Sequence, residues 1–409
     1  MFKNKTIVTI FCTIFIDLLG FGILIPIIPL LFASPSSSFY ILPASLSPET
    51  GYLLLGLLIA VFPLGQFFST PILGQLSDVY GRKKVLAICL FGTSLSYVLF
   101  AIGIVTKNIP LLFYARFFDG LTGGNISVAQ AMIGDVSTQK TRAKNFGMMG
   151  AAFGLGFIFG PYIGGKLSDP NLVSWFSAST PFYFAGILSL LNALSVIFIL
   201  SETNINMQRG TITWVKSIRN IITAWKMKGV NVIFLTNFLF FAGFTFFTTF
   251  FNVFLIHKFG FTQGKIGNFF AYIGMWSIFT QAVVTRIVAK YFNERTVLRI
   301  TLIISSFVIL LYFLPREAWQ LYLIPPIGGI INGLAMANLG SLLSRHAPET
   351  MRGEIMGIGA SVQALAQFIP AVLAGFIALS FNPETPLFIA FCVSLLGGLS
   401  FMWLYKKNT

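Results

Sequence analysis

The stretch Gly74-Gln75-Leu76-Ser77-Asp78-Val79-Tyr80-Gly81-Arg82-Lys83-Lys84 separates two long apolar runs and reads as a turn at a membrane surface. Gly81 suits a tight turn, and Arg82, Lys83 and Lys84 stay in water beside anionic headgroups. Asp78 sits at the membrane edge, where an unpaired carboxylate is costly, so it is expected to have a partner. Outward from this turn, apolar stretches bounded by Pro, Gly and charge predict spans at 6–33, 51–77, 84–106, 109–134, 142–166, 180–200, 229–256, 265–289, 296–314, 318–343, 353–380 and 385–405. Of the 409 residues, 56% are hydrophobic, 16% aromatic and 10% charged, with a mean hydropathy of +0.84. A soluble domain carries about 25% charged residues. Twelve spans take up about 240 to 300 residues, which leaves short connectors and no room for a sizeable soluble domain. The chain therefore does not read as an enzyme.

Lys3 and Lys5 ahead of the first span mimic a signal peptide, but about 28 apolar residues exceed an h-region of roughly 7 to 15, so this helix is expected to be retained. The net charge of +15 is explained by topology. With the N-terminus inside, the cytoplasmic segments hold Lys3, Lys5, Arg82, Lys83, Lys84, Lys140, Arg142, Lys144, Arg209, Lys216, Arg219, Lys226, Lys228, Arg286, Lys290, Arg295, Arg299, Arg345, Arg352, Lys406 and Lys407. The outer connectors hold only Lys107, Lys166, Lys258, Lys265 and Arg316, and Arg116 lies within a span. This bias places both termini in the cytoplasm and removes the need for a nucleic-acid partner. The Asn-x-Ser/Thr matches Asn4-Lys5-Thr6 and Asn125-Ile126-Ser127 fall on the inner side and within a span, which suits a bacterial cytoplasmic membrane. Cys12, Cys89 and Cys392 lie in apolar runs and His257 and His346 lie far apart, so neither a metal site nor a cofactor is expected.

The longest connector divides the chain into a six-span bundle over 1–200, a linker over 201–228 and a second six-span bundle over 229–409. In the linker, Trp214, Val215, Ile218, Ile221, Ile222 and Trp225 recur at helical spacing between Lys216, Arg219 and Lys226, which describes a basic amphipathic helix on the inner leaflet, in the plainest reading a tether. Gly123, Arg142 and Gly147 stand at the same offset from Gly333, Arg352 and Gly357. The expected fold class is thus an all-α membrane protein with twelve transmembrane helices in two six-helix bundles related by a parallel pseudo-two-fold repeat, as in a transporter with a central site.

The turn after span two resembles the loop motif of the major facilitator superfamily, Gly-x-Leu-x-Asp-x-x-Gly-Arg-Lys, carried here by Gly74, Leu76, Asp78, Gly81, Arg82 and Lys83, with Val79 departing from the basic residue often found there. The resemblance implies a latch joining Asp78 and Arg82 to Asp135, at the inner end of span four, and to the start of span eleven near Gly353. Such a latch closes the inner side and must break when that side opens. The matching loop of the second half, Arg286 to Arg295, has lost the Asp and Gly, with Ala289 and Asn293 in that region. The inner gate is therefore expected to be asymmetric and held mainly by the first half. Span five carries Gly150-x3-Gly154 and then Gly156-x3-Gly160-Pro161-x2-Gly164-Gly165. The four-residue spacing lets another helix approach closely and Pro161 bends the helix. This string is similar to the motif that distinguishes proton-coupled antiporters within the superfamily. Asp17-Leu18-Leu19-Gly20-Phe21-Gly22, continuing to Pro26 and Pro29, resembles the first span of tetracycline-type efflux proteins.

Within the membrane the plausible charges are Asp17, Arg116 and Asp119. Each is a functional-site candidate, since ionised groups at that depth cost about 2.5 to 3.5 kcal/mol. Asp17 lies near mid-membrane and is the favoured proton carrier. Arg116 and Asp119, three residues apart, can pair directly. Arg116 and Gly120 resemble the family's span-four motif, which implies a role for Arg116 in proton transfer; Asp119 replaces a more usual Gln, and neutralisation of Arg116 competes with a second titrating site. The second half offers Asn237, Thr245, Asn252, Trp276, Gln281, Asn332, Asn338, Gln363 and Gln367 as hydrogen-bonding cavity candidates, and span seven is rich in Phe.

The expected function is a monomeric secondary active transporter that exports a lipophilic or amphiphilic small molecule in exchange for protons by alternating access, with the bilayer as its other partner. The alternatives are a proton- or ion-coupled uptake symporter for a nutrient or siderophore-like molecule and a non-transporting receptor on the same fold. No Gly-x4-Gly-Lys-Ser/Thr segment occurs, which disfavours an ATP-driven pump.

Overall fold

A computed structural model describes residues 2–204, 212–227, 230–345 and 352–405, apart from the side chains of 2–5, 139, 140, 142–144, 146, 147, 150, 153, 217, 344 and 352–354. Arg209, Lys228, His346, Lys406 and Lys407 therefore lie outside the described residues, as do the side chains of Lys3, Lys5, Lys140, Arg142, Lys144 and Arg352. Every regular element among the described residues is helical.

The first half consists of α1 (Phe2–Leu24), α2 (Ile28–Phe32), α3 (Pro48–Tyr80), α4 (Arg82–Val105), α5 (Ile109–Thr122), α6 (Asn125–Val136), α7 (Gln139–Leu167) and α8 (Thr180–Ile199). After α9 (Lys216–Lys226) the second half consists of α10 (Asn231–Phe259), α11 (Gln263–Phe279), a π-helical segment (Thr280–Val284), α12 (Thr285–Tyr291), α13 (Glu294–Leu311), a 3-10 turn (Ala318–Leu323), α14 (Pro325–Arg345), α15 (Arg352–Ser380) and α16 (Thr385–Leu404). These make twelve crossings, with α1–α2, α5–α6 and α11–α12 each serving as one interrupted crossing. Nine segments among the described residues are long and apolar enough to cross a membrane.

The expected span positions are reproduced, but four spans are not continuous α-helices, the tenth beginning in the 3-10 turn Ala318–Leu323. The first breaks at Ile25-Pro26-Ile27, where Pro26 has no N–H to donate and the neighbouring amides tighten onto Gly22 and Leu24 (3.1 Å each). The fourth breaks at Gly123-Gly124, between α5 and α6. The eighth passes through the π segment, whose wider turn rotates the register of α12 relative to α11. Helix starts are capped locally: the side chains of Asn108, Thr262 and Asn293 accept from the amides of Leu111, Lys265 and Thr296. Gly260 ends α10 in the left-handed conformation (φ 62°).

We call the face bearing Gly81 and both described chain ends the inner face, in keeping with the charge bias. On the outer side the halves are sealed together. One apolar cluster draws Leu19, Ile23, Ile27, Phe32 and Leu55 from the first half and Phe246, Phe250, Phe254, Ala374 and Ala378 from the second. Small residues let the backbones of opposite halves meet there. A Cβ on Gly56 of α3 would come within 2.6 Å of the Ala371 carbonyl of α15, and one on Gly267 of α11 within 2.5 Å of the Pro161 carbonyl of α7. Polar ties reinforce the seal: Asn252 donates to the Ile25 carbonyl (3.0 Å) and His257 pairs with the Ala33 carbonyl (2.9 Å).

On the inner side the apolar packing divides. Ile10, Ile14, Leu18, Leu86, Leu90, Met132 and Val196 form a cluster wholly of the first half, while Ile233, Phe234, Leu298, Leu339, Ile355 and Phe401 belong to one drawn from the second half and the linker helix α9, through Ala224. Gly74 near the inner end of α3 and Gly357 near that of α15 have no described neighbour within 4 Å of where a Cβ would sit. Among the described residues, one apolar cluster joins the halves on the outer side and none joins the two halves' inner ends.

Candidate functional site

Asp17 stands on α1 where the two packing regimes meet. Leu18 joins the inner first-half cluster and Leu19 joins the outer seal. Asp17 is half-buried, and among the described residues no cation pairs with it. Its polar neighbour is Asn125, the first residue of α6. Asn125 is buried, and neither atom of its amide completes a well-aligned hydrogen bond. Such an orphan is costly inside a protein and marks a place where a proton, a water or a ligand group can enter.

Six and nine residues before Asn125, on α5, Asp119 and Arg116 are both buried (4% exposed each) and pair at 2.8 Å. The guanidinium also lies over the Phe62 ring, 4.4 Å from its centre. Removing one member of a buried pair costs about 3 to 5 kcal/mol, because it strands the other charge. The buried Tyr97 of α4 lies within electrostatic range of Asp17, Arg116 and Asp119. The break that brings Asn125 to this level is held from α3: Gln66 donates to the Gly123 carbonyl (3.0 Å) and Ser69 to the Gly120 carbonyl (3.1 Å). Gln66, Tyr97 and Asn125 were missed by reading the sequence. The Gly-Gly-Asn run was the available signal, since a helix broken within the membrane tends to line a site.

The glycines of α7 position α1. A Cβ on Gly156 would come within 2.6 Å of the Cβ of Leu18, one on Gly160 within 2.7 Å of the Gly22 Cα, and one on Gly164 within 2.5 Å of the Ile23 carbonyl. The Pro161 ring lies against Gly22, while Gly165 faces the Gln263 carbonyl of α11 in the other half. The helix that carries Asp17 thus rests on a helix that also packs across the boundary between halves.

At the inner end of the first half, Arg82 is a node. It bonds Asp135 (Nε to Oδ2, 2.7 Å), Asp78 (Nη2 to Oδ1, 2.9 Å) and the Ser77 hydroxyl (2.9 Å). Thr203 donates to Asp135 (3.0 Å), and Glu202 accepts from the backbone amides of Arg82 and Lys83 (3.1 Å each), placing an anion at the N-terminus of α4. Gly81 turns the chain with φ 96°, a region closed to most other residues. The expected docking of Asp78 near Gly353 falls on residues whose side chains are not described. Among the described residues Asp78 is 54% exposed and its side chain is held by Arg82.

The second half has its own inner pair. Glu294 at the start of α13 bonds Arg345 at the end of α14 (3.2 Å) and accepts from Ser341 (3.2 Å). The loop has lost the Asp and Gly of the motif, yet an ion pair stands at the matching level with its charges exchanged. A cleft of about 510 Å³ adjoins it, lined by Lys290, Asn293, Glu294, Asn338, Ser341 and Arg345.

The cavity candidates are scattered. Trp276, Asn332, Gln363 and Gln367 are half-buried on α11, α14 and α15, Gln281 is exposed in the π segment, and Asn237 is buried on α10. Asn338 bonds back to the Leu334 carbonyl and Thr245 to the Phe241 carbonyl. Asn252 serves the outer seal instead, as do Phe250, Phe251 and Phe254.

A model of the Major Facilitator Superfamily matches residues 10–371. The chain is 29% identical over 380 residues to the class H tetracycline resistance protein of Pasteurella multocida, covering 91% of this chain and 89% of that one. It is also 29% identical over 397 residues to the quinolone resistance protein NorA of Staphylococcus aureus (strain COL), covering 96% and 95%. Among solved structures, the D-xylose–proton symporter superposes with a TM-score of 0.75 at 15% identity, over 100% of this chain and 99% of that one. With the superfamily model matched along most of its length and two six-helix halves parted on one side, this chain belongs to the major facilitator superfamily of membrane transporters.

Proposed function

We propose that the chain is a proton-coupled antiporter that exports a lipophilic or amphiphilic small molecule, with Asp17 as the group that exchanges protons with the two sides in turn. The observation that carries this reading is the contrast in charge pairing: Arg116 and Asp119 neutralise each other, while Asp17, at the junction between the outer seal and the inner opening, has no cation beside it among the described residues. A carboxyl within a membrane span and without a cation is a functional-site candidate by default, and proton exchange is the chemistry a lone carboxyl offers. In the outward-open state Asp17 takes a proton as substrate leaves. In the inward-open state the proton departs and substrate binds, so the two ligands favour opposite forms of Asp17. Arg116 and Asp119 hold the electrostatic background fixed and Asn125 supplies a hydrogen-bonding partner for Asp17. The resemblance to tetracycline and quinolone resistance proteins and the glycine-lined contact between α7 and α1 favour export.

The bundles span 1–200 and 229–409 with 201–228 as linker. The protein works as a monomer in a bacterial cytoplasmic membrane with both termini cytoplasmic, and needs no cofactor or nucleic acid. Asn237, Trp276, Asn332, Gln363 and the exposed Gln281 are the second-half candidates for hydrogen bonds to substrate.

The test is transport in proteoliposomes under an imposed proton gradient, with a tetracycline, a quinolone and a neutral lipophilic dye as probes. The wild type is expected to move at least one probe against its gradient towards the acidic compartment. Asp17→Asn is expected to insert normally and lose this motion. Unchanged gradient-driven transport by Asp17→Asn would remove Asp17 from the mechanism, and probe moving with the protons instead would mark a symporter.

A further inference from the structure

Helix α9 has three distinct faces. At 100° per residue, Asn220, Ile221 and Ala224 turn towards the protein, where Asn220 and Ala224 are buried. Ile218, Ile222 and Trp225 form a separate apolar stripe that is exposed (50%, 51% and 74%), extended before the helix by exposed Trp214 and Val215. Lys216, Arg219 and Lys226 run beside that stripe, and none is paired with an acid among the described residues. An apolar stripe with two tryptophans, bordered by three cations at the level of the inner membrane surface, complements a phospholipid that offers acyl chain and negative headgroup together.

The attachments of α9 give that surface a consequence. The Gln75 side chain of α3 accepts from the Thr213 amide (2.9 Å) and donates to the Thr213 carbonyl (3.4 Å). Seven residues later Asn220 donates to the Ser361 hydroxyl of α15 (3.2 Å). One short segment is therefore fastened to the first half at one end and to the second half at the other. It sits beside the inner ends of α3 and α15, where Gly74 and Gly357 have no described neighbour within 4 Å of where a Cβ would sit. Any change in the spacing of those ends acts on both attachments of α9.

We propose that α9 is a binding surface for anionic phospholipid of the inner leaflet, and that the lipid-bound helix acts as a strut holding α3 and α15 apart in the inward-open state. The anionic headgroups sit on Lys216, Arg219 and Lys226 while Trp214 and Trp225 lie among the upper acyl carbons. A helix so pinned cannot follow α3 or α15 inward, so lipid charge sets how much of the protein rests inward-open. This holds whichever direction substrate moves and whichever group carries the proton.

The test uses the full chain in nanodiscs of phosphatidylcholine alone or with phosphatidylglycerol. Quenching of Trp214 and Trp225 by brominated lipid, taken as the signal lost in Trp214→Phe/Trp225→Phe, is expected to be stronger with brominated phosphatidylglycerol than with the same amount of brominated phosphatidylcholine. Spin labels at Tyr80→Cys and Met356→Cys, exposed near the inner ends of α3 and α15, are expected to show a larger long-distance fraction in the anionic discs. Lys216→Gln/Arg219→Gln/Lys226→Gln should abolish both lipid effects. Equal quenching by the two lipids, or a preference retained by the triple variant, overturns the binding surface. A lipid preference with no change in the distance distribution overturns the strut.

Discussion

The inner corners of the two halves place an ion pair at matching points of the repeat, built with opposite polarity. Arg82 and Glu294 each open the third crossing of their half, while Asp135 and Arg345 stand near the end of the fourth, separated by the same offset that relates Gly123 to Gly333. In the first half the cation sits at the helix start and needs anions around it: Asp78 and Asp135 bind its side chain and Glu202 covers the helix end. In the second half the anion itself sits at the helix start, where the macrodipole favours it, and among the described residues Arg345 and the Ser341 hydroxyl answer it. Arg82 is 12% exposed and Arg345 70%. The repeat preserves where a bond is made and leaves the sign of the charges free. The inner ends remain unequal, because one pair belongs to a shielded network and the other to solvent.

Exchanging charges in each corner tests that contrast most severely. Arg82→Asp with Asp135→Arg keeps a pair but sets the new aspartate against Asp78 and Glu202, and should cost more than about 3 kcal/mol, read as a large fall in the unfolding midpoint of the purified protein. Arg82→Ala alone should cost about 2 kcal/mol, since it leaves Asp135 with Thr203 and releases Asp78. The exchange Glu294→Arg with Arg345→Glu should cost under about 1 kcal/mol, the sum of an exposed pair and a reversed helix-dipole term. Equal losses from the two exchanges would show the corners to be energetically alike.

Much of the fold was legible because the bilayer imposes it. Runs of about twenty apolar residues located the twelve helical crossings. What escaped depends on geometry beyond a single helix. Pro26 was visible, but the pause it causes at 25–27 was not separable from a kink. The π segment at Thr280–Val284 has no composition of its own. Asn252 looked like a cavity residue because polar groups in spans often are, and only the meeting of α10 with the end of α1 assigns it to the outer seal.

The charged candidates fared differently. Arg116 and Asp119 sit three apart on one helix, so their pairing is a matter of local geometry. Asn125 lies beside Asp17 only because two glycines break the fourth crossing. Glu294 and Arg345 were invisible to motif reading, which looks for an acid before a basic turn; exchanging the charges removes the pattern and keeps the bond. That the outer side is sealed and the inner side parted belongs to the packing of the halves, and one sequence must serve both states.

The central claim concerns the proton on Asp17, and its most direct measurement is proton release on substrate binding, followed with a pH-sensitive dye around purified protein in weakly buffered detergent. For a probe identified by the transport assay, the wild type should release protons as substrate binds, while Asp17→Asn should bind the same probe and release none. Proton release of equal size from Asp17→Asn would contradict the account and move the coupling to another group.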